Sequence, residues 1–376
     1  MNRRLAVLLL AVLAVAAACS SDDGGAVSTA TTTATAVETA DVTPTTEAPA
    51  AAATVGEWTS IPGGDDCRCS DGSPFEIWER PADPTKVMLY FEGGGACFSA
   101  ATCVPFIPTY TRNLELGVAP DRGGVFDETN PENPIADYSI VYVPYCTGDV
   151  HLGDSVTEYS DTVTVDHNGF PNADKGLQTV LANYPDVEQL LVAGSSGGSI
   201  ATPTFAGLAA DELPDTEIVT FGDSSAAYPD VPALNAEIGG AWGVLENIPD
   251  WPVNDGLTAE EWSFPGLYVQ AGSEHPDITF GRFDYAYDGV QAIFAGLAGI
   301  AADDLLGFIE QTESDIEADG VPIASYIAPG TSHTILGSDG FYDMEVEGVR
   351  LVDFLAALVA GDVPADVRCV DCQRPA

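Results

Sequence analysis

Residues 190–199 read LLVAGSSGGS, an apolar run of strand length that breaks into Gly194-Ser195-Ser196-Gly197-Gly198 and gives way to a helical pattern over 200–210. A serine framed by glycines between a buried strand and a helix has a specific physical use. The glycines let the backbone turn sharply without side-chain collision. The turn exposes the hydroxyl and directs a helix N-terminus at any negative charge that develops beside it. The ordinary alternative is a glycine-rich turn in which the serine only caps the helix. The strand before and the helix after favour Ser196 as a nucleophile, and Ser195 lacks the symmetric glycines.

Outward from this segment, apolar and β-branched runs recur at 87–91, 138–143, 217–221, 266–270 and 322–328, and with 189–193 they read as buried strands. Helical patterns lie between them at 173–183, 200–210, 290–301 and 346–359. Strands alternating with helices imply one mostly parallel sheet covered on both faces. Chemistry in such sheets gathers at the carboxyl ends of the strands. With G-x-S-x-G at a strand-to-helix turn, the expected class is the α/β-hydrolase fold.

A second glycine cluster follows the run at 87–91, where residues 89–97 read LYFEGGGAC. Three glycines in a row remove the side chains that would keep backbone N–H groups from converging on a carbonyl oxygen. The expected oxyanion donors are Gly95, Ala96 and Gly197. A base must follow the nucleophile in this fold, with the acid between them. Of the four histidines, His333 lies late, in APGTSH ahead of the last helical pattern, and is the expected base; His151 and His167 precede the serine and are expected to pack or hydrogen-bond near the pocket. For the acid, the stretch after 267–270 offers Glu274 and Asp277. Asp277 is preferred because 278–283 reads as the start of a helix. Asp223, in FGDSS, is a rival whose plainer reading is a buried loop brace.

Several segments in order, CSDGSPF (69–75), EGGGACF (92–98), PYCTGDVHLGD (144–154), GSSGGS and GTSHTI, resemble the pectin acetylesterase/Notum family of α/β-hydrolases. The resemblance spans about residues 69 to 355. It implies carboxylic ester hydrolysis without cofactor or metal, and it supports Ser196, His333 and the Gly95–Ala96 region in the roles given above. Two positions depart from the family pattern. Gly197 replaces the usual Ala after the nucleophile, and the Trp beside the GGG motif is absent, with Ala96 and Phe98 there instead. The second departure leaves the acyl pocket, and so the substrate, open. Removal of acetyl or other short acyl groups from a glycan or small ester is the expectation; a longer-chain deacylase, or a surface lipoprotein that binds without catalysis, are the alternatives.

The N-terminus carries Arg3, Arg4, an apolar run and small residues before Cys19. It reads as a lipoprotein export signal over 1–18, with Cys19 lipidated and holding the chain at a membrane. Residues 19–55 are Ala- and Thr-rich without an aromatic residue and read as a disordered tether, leaving one catalytic domain over 56–376. Net charge is −46, with two lysines, which excludes nucleic acid as a reasonable partner. Seven cysteines follow Cys19, and export favours pairing them with one left over. Cys97 with Cys103 can close a short loop, and Cys369 and Cys372 can pair with each other or with Cys67 and Cys69. A zinc site on those last four is disfavoured by the single-residue gap between Cys67 and Cys69. Nothing in the sequence specifies an oligomeric state.

Overall fold

The alternating apolar runs assemble as their pattern dictates. The computed structural model describes residues 54–104, 109–120 and 123–372. The expected signal sequence, Cys19 and nearly all of the tether therefore lie outside the described residues. Thirteen strands appear in chain order: β1 (Thr59–Pro62), β2 (Glu76–Arg80), β3 (Asp83–Phe91), β4 (Tyr138–Val143), β5 (Ser155–Ser160), β6 (Val163–His167), β7 (Gln189–Ser195), β8 (Glu217–Asp223), β9 (Thr279–Tyr285), β10 (Ile323–Ala328), β11 (Glu345–Val346), β12 (Val349–Arg350) and β13 (Val367–Arg368). The helices are α1 (Gly169–Asn183), α2 (Gly197–Glu212), α3 (Pro232–Trp242), α4 (Phe264–Glu274), α5 (Gly289–Leu297), α6 (Leu305–Ala318), α7 (Gly340–Asp343) and α8 (Leu351–Val359).

Nine strands form one sheet in the order β1-β2-β4-β3-β7-β8-β9-β10-β13. β2 runs antiparallel to both its neighbours, and every pair from β4 to β13 is parallel. Two short hairpins, β5–β6 and β11–β12, stand apart. Side chains alternate across the sheet. Val87, Leu89 and Phe91 of β3 meet α1 and α2 through Leu177 and Phe205, whereas Met88 and Tyr90 face the layer containing Phe354 and Leu358 of α8. Apolar cores on both faces make this the three-layer α/β-hydrolase fold.

One expected strand is a helix. Residues 266–270 fall inside α4, which Ser263 caps by accepting the Gly266 N–H (3.1 Å), with Pro265 in its first turn. The next strand is β9, which had been read as a helix start at 278–283. Its pattern is hidden by Gly281 and by Arg282, a buried cation paired with Glu313 (3.1 Å) and bonded to the Ile309 carbonyl (2.9 Å). This exchange moves the acid-bearing loop.

Disulfides join Cys69–Cys146, Cys97–Cys103 and Cys369–Cys372. Cys67 is the leftover thiol, buried and pushed upward in pKa chiefly by that burial. The four cysteines considered for zinc are thus divided among two disulfides and a thiol. No helix among the described residues is long and apolar enough to cross a membrane.

Candidate active site

Parallel strands bring the carboxyl ends of β3, β7, β8, β9 and β10 to one edge. In register, Phe91 lies opposite Gly194 and Ser195 opposite Asp223. β7 ends at Ser195 and α2 begins at Gly197, so Ser196 alone makes the turn, at φ 54° and ψ −126°. A left-handed backbone at a serine is uncommon and costs about 1–3 kcal/mol, so its surroundings must enforce it. They do so by close approach: a Cβ on Gly198 would lie 2.1 Å from the Phe91 carbonyl oxygen, and one on Gly194 2.4 Å from that of Gly198. The Ser196 N–H is held by the Asp223 carbonyl (2.8 Å).

His333 hangs from the loop after β10. Its Nε2 is 2.8 Å from Ser196 Oγ, and its Nδ1 is 2.7 Å from Asp288 Oδ2. With Nδ1–H donating to the carboxylate, Nε2 is left as the acceptor for the serine O–H. Burial of the ring acts to lower its pKa, but the hydrogen bond and charge of Asp288, with Asp223 and Asp284 behind it, outweigh that and hold it above the ordinary imidazole value.

The acid expected at Asp277 is therefore corrected to Asp288. Asp277 is exposed in the turn that leads into β9, at the opposite end of that strand from the site, and Glu274 closes α4 beside it. Asp288 follows β9 and is fully buried. Its Oδ1 caps α5 through the N–H groups of Val290 (2.8 Å) and Gln291 (3.0 Å), which leaves Oδ2 for His333. Gln291 Nε2 donates to both Asp288 Oδ2 (3.2 Å) and Asp284 Oδ1 (2.9 Å) and so separates two buried carboxyls. The signal was present in the sequence, because Asp288-Gly289 immediately precedes the apolar helical pattern at 290–301, an N-cap position.

Asp223 does not reach His333. Its Oδ2 accepts from Ser195 Oγ (2.8 Å) and from the N–H groups of Ile335 (2.9 Å) and Leu336 (3.0 Å), which ties the His333 loop to the sheet. Ser195 also accepts from Tyr90 OH (2.8 Å), so it belongs to this brace. His151 and His167 are buried, each pushed down to about 4 by that burial, and bonded to the carbonyls of Glu92 (2.8 Å) and Thr147 (3.0 Å). His275 pairs with Asp211 (2.9 Å).

Of the expected oxyanion donors, Gly95 takes φ +83° and, with Gly197, lines the cavities that meet at Ser196. Ala96 lines the cavity too, but its N–H is given to the Thr109 carbonyl (3.2 Å). The third donor is thus corrected: a loop crossing the glycine run consumes Ala96.

Two spaces open from Ser196. One is an apolar cavity of about 70 Å³ walled by Phe98, Val150, Ile238, Trp242, Trp262 and Phe294. The indole missing from the glycine loop is not restored there; Trp242, which donates Nε1–H to the Cys97 carbonyl (2.8 Å), and Trp262 enter from another stretch. The other is a wide cleft of about 700 Å³ bordered by Tyr110, Tyr142, Glu92 and His333. Val150 was missed by sequence reasoning. It is β-branched at φ 53°, a backbone outlier, and is held there by its N–H on Tyr145 OH (2.9 Å).

The pectinacetylesterase family model matches residues 51–235, the stretch that holds the glycine loop and Ser196. That stretch, just under half of the chain, is similar to the pectinacetylesterase family. Asp288 and His333 lie beyond the matched stretch. A similar protein is the palmitoleoyl-protein carboxylesterase NOTUM of Schmidtea mediterranea, 28% identical over 149 residues that make up 37% of this chain and 28% of that protein. The match thus spans little more than a quarter of that relative's length.

Proposed function

We propose that this protein is a member of the pectinacetylesterase family and an exported serine carboxylesterase that removes short acyl groups from a glycan. The observation that carries the reading is the unbroken chain from Asp288 through His333 to Ser196, at 2.7 and 2.8 Å, standing where a small apolar cavity meets a wide cleft. Ser196 attacks the ester carbonyl as His333 Nε2 takes its proton, and the imidazolium that forms is oriented and stabilised by Asp288. The N–H groups of Gly95 and Gly197 receive the oxyanion. His333 then gives its proton to the leaving alcohol, and water releases the acyl group by the same route.

Size divides the two spaces between acyl and alcohol. An apolar cavity of about 150 Å³ accepts benzene, so one of about 70 Å³ suits an acyl group of a few carbons. The open cleft suits the bulkier alcohol. The similarity to a palmitoleoyl-protein carboxylesterase, together with the apolar cavity wall, favours the second reading, a longer-chain deacylase. Three disulfides fit export, and the anchor is assigned to Cys19, which a Cys19→Ala variant shed from membranes would support.

Hydrolysis of p-nitrophenyl esters from acetate to palmitate, with Ser196→Ala beside the wild type, tests this. Short-chain activity abolished by the substitution is expected. A long-chain optimum would select the deacylase, full activity in the variant would remove Ser196 from its role, and a folded but inert wild type would favour a binding lipoprotein.

A further inference from the structure

The cleft does not stop at the active-site serine. Its wall at Glu92 and Tyr142 is shared with a second open hollow of about 450 Å³, bordered by Glu76, Trp78, Glu115 and Pro144. Each hollow is within the range that holds a drug-sized ligand, so the two together form a groove long enough for several sugar units. Its charge is one-sided. Among the described residues, the ionisable side chains lining the two hollows, apart from tyrosines, are Glu76, Glu92, Glu115 and His333, with no lysine or arginine.

The described basic residues nearby do not line the groove. Arg80 is buried and directed to the Phe126 carbonyl (2.8 Å) and Glu128 (3.0 Å). Arg112 is next to Thr111 of the cleft wall but lines neither hollow. Lys86 pairs with Asp137 (2.9 Å) near the start of β3, away from the site. Around the groove the whole chain carries a net charge of −46, which adds a repulsive background for any polyanion.

Resting on the esterase reading above, we propose that the groove takes an acylated glycan without carboxylates and discriminates against polyuronates. A uronate polymer would bring a carboxylate with every sugar unit against Glu76 and Glu115, with no lysine or arginine among the described lining residues to receive it. The discrimination is electrostatic, so salt must weaken it.

The test compares acetylated cello-oligosaccharides with acetylated oligogalacturonates of equal length and acetyl content, reading the ratio of their kcat/KM values. The ratio is independent of the fraction of folded enzyme. The neutral series should lead by at least about tenfold at low salt, and the gap should shrink in about 0.5 M NaCl and in a Glu76→Gln/Glu115→Gln variant. Equal or better turnover of the uronate series, or a gap that neither salt nor the variant moves, would overturn the proposal. So would refusal of both series by an enzyme that hydrolyses p-nitrophenyl acetate. Failure on p-nitrophenyl acetate as well would overturn the esterase reading, and this inference with it.

Discussion

Asp288 divides its two functions between two oxygens, Oδ1 capping α5 and Oδ2 facing His333. Substitutions can separate them. Asn is a competent cap but cannot hold the required imidazole tautomer or accept from Gln291 Nε2, so Asp288→Asn should keep the cap with a modest fall in melting temperature while kcat falls by roughly 10⁴. Asp288→Ala should lose the cap as well and unfold with about 1 kcal/mol less stability. Asp277→Asn should leave kcat unchanged, and a large loss there would return the acid role to Asp277. The acid limb of kcat/KM should sit above pH 6.5, because catalysis needs neutral His333 and Asp288 holds its pKa up; in the weakly active Asp288→Asn enzyme that limb should move to lower pH. Val150 carries a different prediction. Its left-handed backbone costs about 1–3 kcal/mol, and the buried side chain returns about as much, so Val150→Gly should change the melting temperature little. A Cβ on Gly197 would lie 3.4 Å from Val150 Cγ1, so the side chain stands beside the residue that follows the nucleophile. Removing it should shift the p-nitrophenyl ester optimum to longer chains, and an unshifted optimum would show that the valine does not limit the acyl group.

The loop between β10 and α7 supplies His333 and is anchored by the buried side chains of Ile335 and Leu336, whose N–H groups Asp223 receives. An Asp223→Ala enzyme leaves these donors without a partner, at about 1–3 kcal/mol each. It should melt well below the wild type and show a reduced kcat, with a Ser195→Ala enzyme affected less because the two loop N–H bonds to Asp223 remain. Differential scanning together with ester kinetics checks this, and unchanged stability on loss of the carboxylate would end the brace assignment. The same elements show what the sequence made legible. The strands at 87–91, 138–143, 189–193, 217–221 and 322–328 were readable because parallel strands buried on both faces are continuous apolar runs. Ser196 and His333 were readable because they sit at strand ends in a fixed chain order. The α4–β9 pair was misread for a physical reason. A short apolar run such as LYVQ at 267–270 does not distinguish helix from strand, and β9 carries a glycine and a buried arginine whose partner, Glu313, lies about thirty positions on. The acid moved with the strand. Ala96 was out of reach in another way, because the Thr109 carbonyl that takes its N–H belongs to a loop crossing that no local pattern announces.

Across the whole molecule, burial has shifted acids and bases in opposite directions, and the consequences for stability oppose each other. Asp149 and Asp284 are fully buried and pushed up to about 7, mainly by loss of solvent. Folded chains then hold protons that unfolded ones have lost, so the contribution of these carboxyls is complete below the ordinary value of 3.8 and is lost as pH rises through about 7. His151 and His167 are pushed down to about 4, again by burial. Here the unfolded chain binds the protons, so stability is complete above the ordinary 6.5 and is lost as pH falls toward about 4. Between about pH 4 and 6.5 these two carboxyls and two histidines act with opposite slopes, each about 1.4 kcal/mol per pH unit. The exposed, hydrogen-bonded carboxylates Asp83 and Asp127 add little to this balance, because solvent screens them. Buried Glu92 and Asp223 are raised as well, so the unfolding free energy should fall with pH across part of that window. An Asp149→Asn variant removes one falling contribution and should make the slope more positive by about 1.4 kcal/mol per unit. The slope decides the matter, since the level will also drop: Asp149 accepts from Gly169 N–H (2.7 Å) and Thr147 Oγ (2.6 Å), and an amide cannot accept through both of its ends. Urea unfolding at several pH values reads that slope directly, and a variant with the wild-type slope would mean that Asp149 is ionised in the fold.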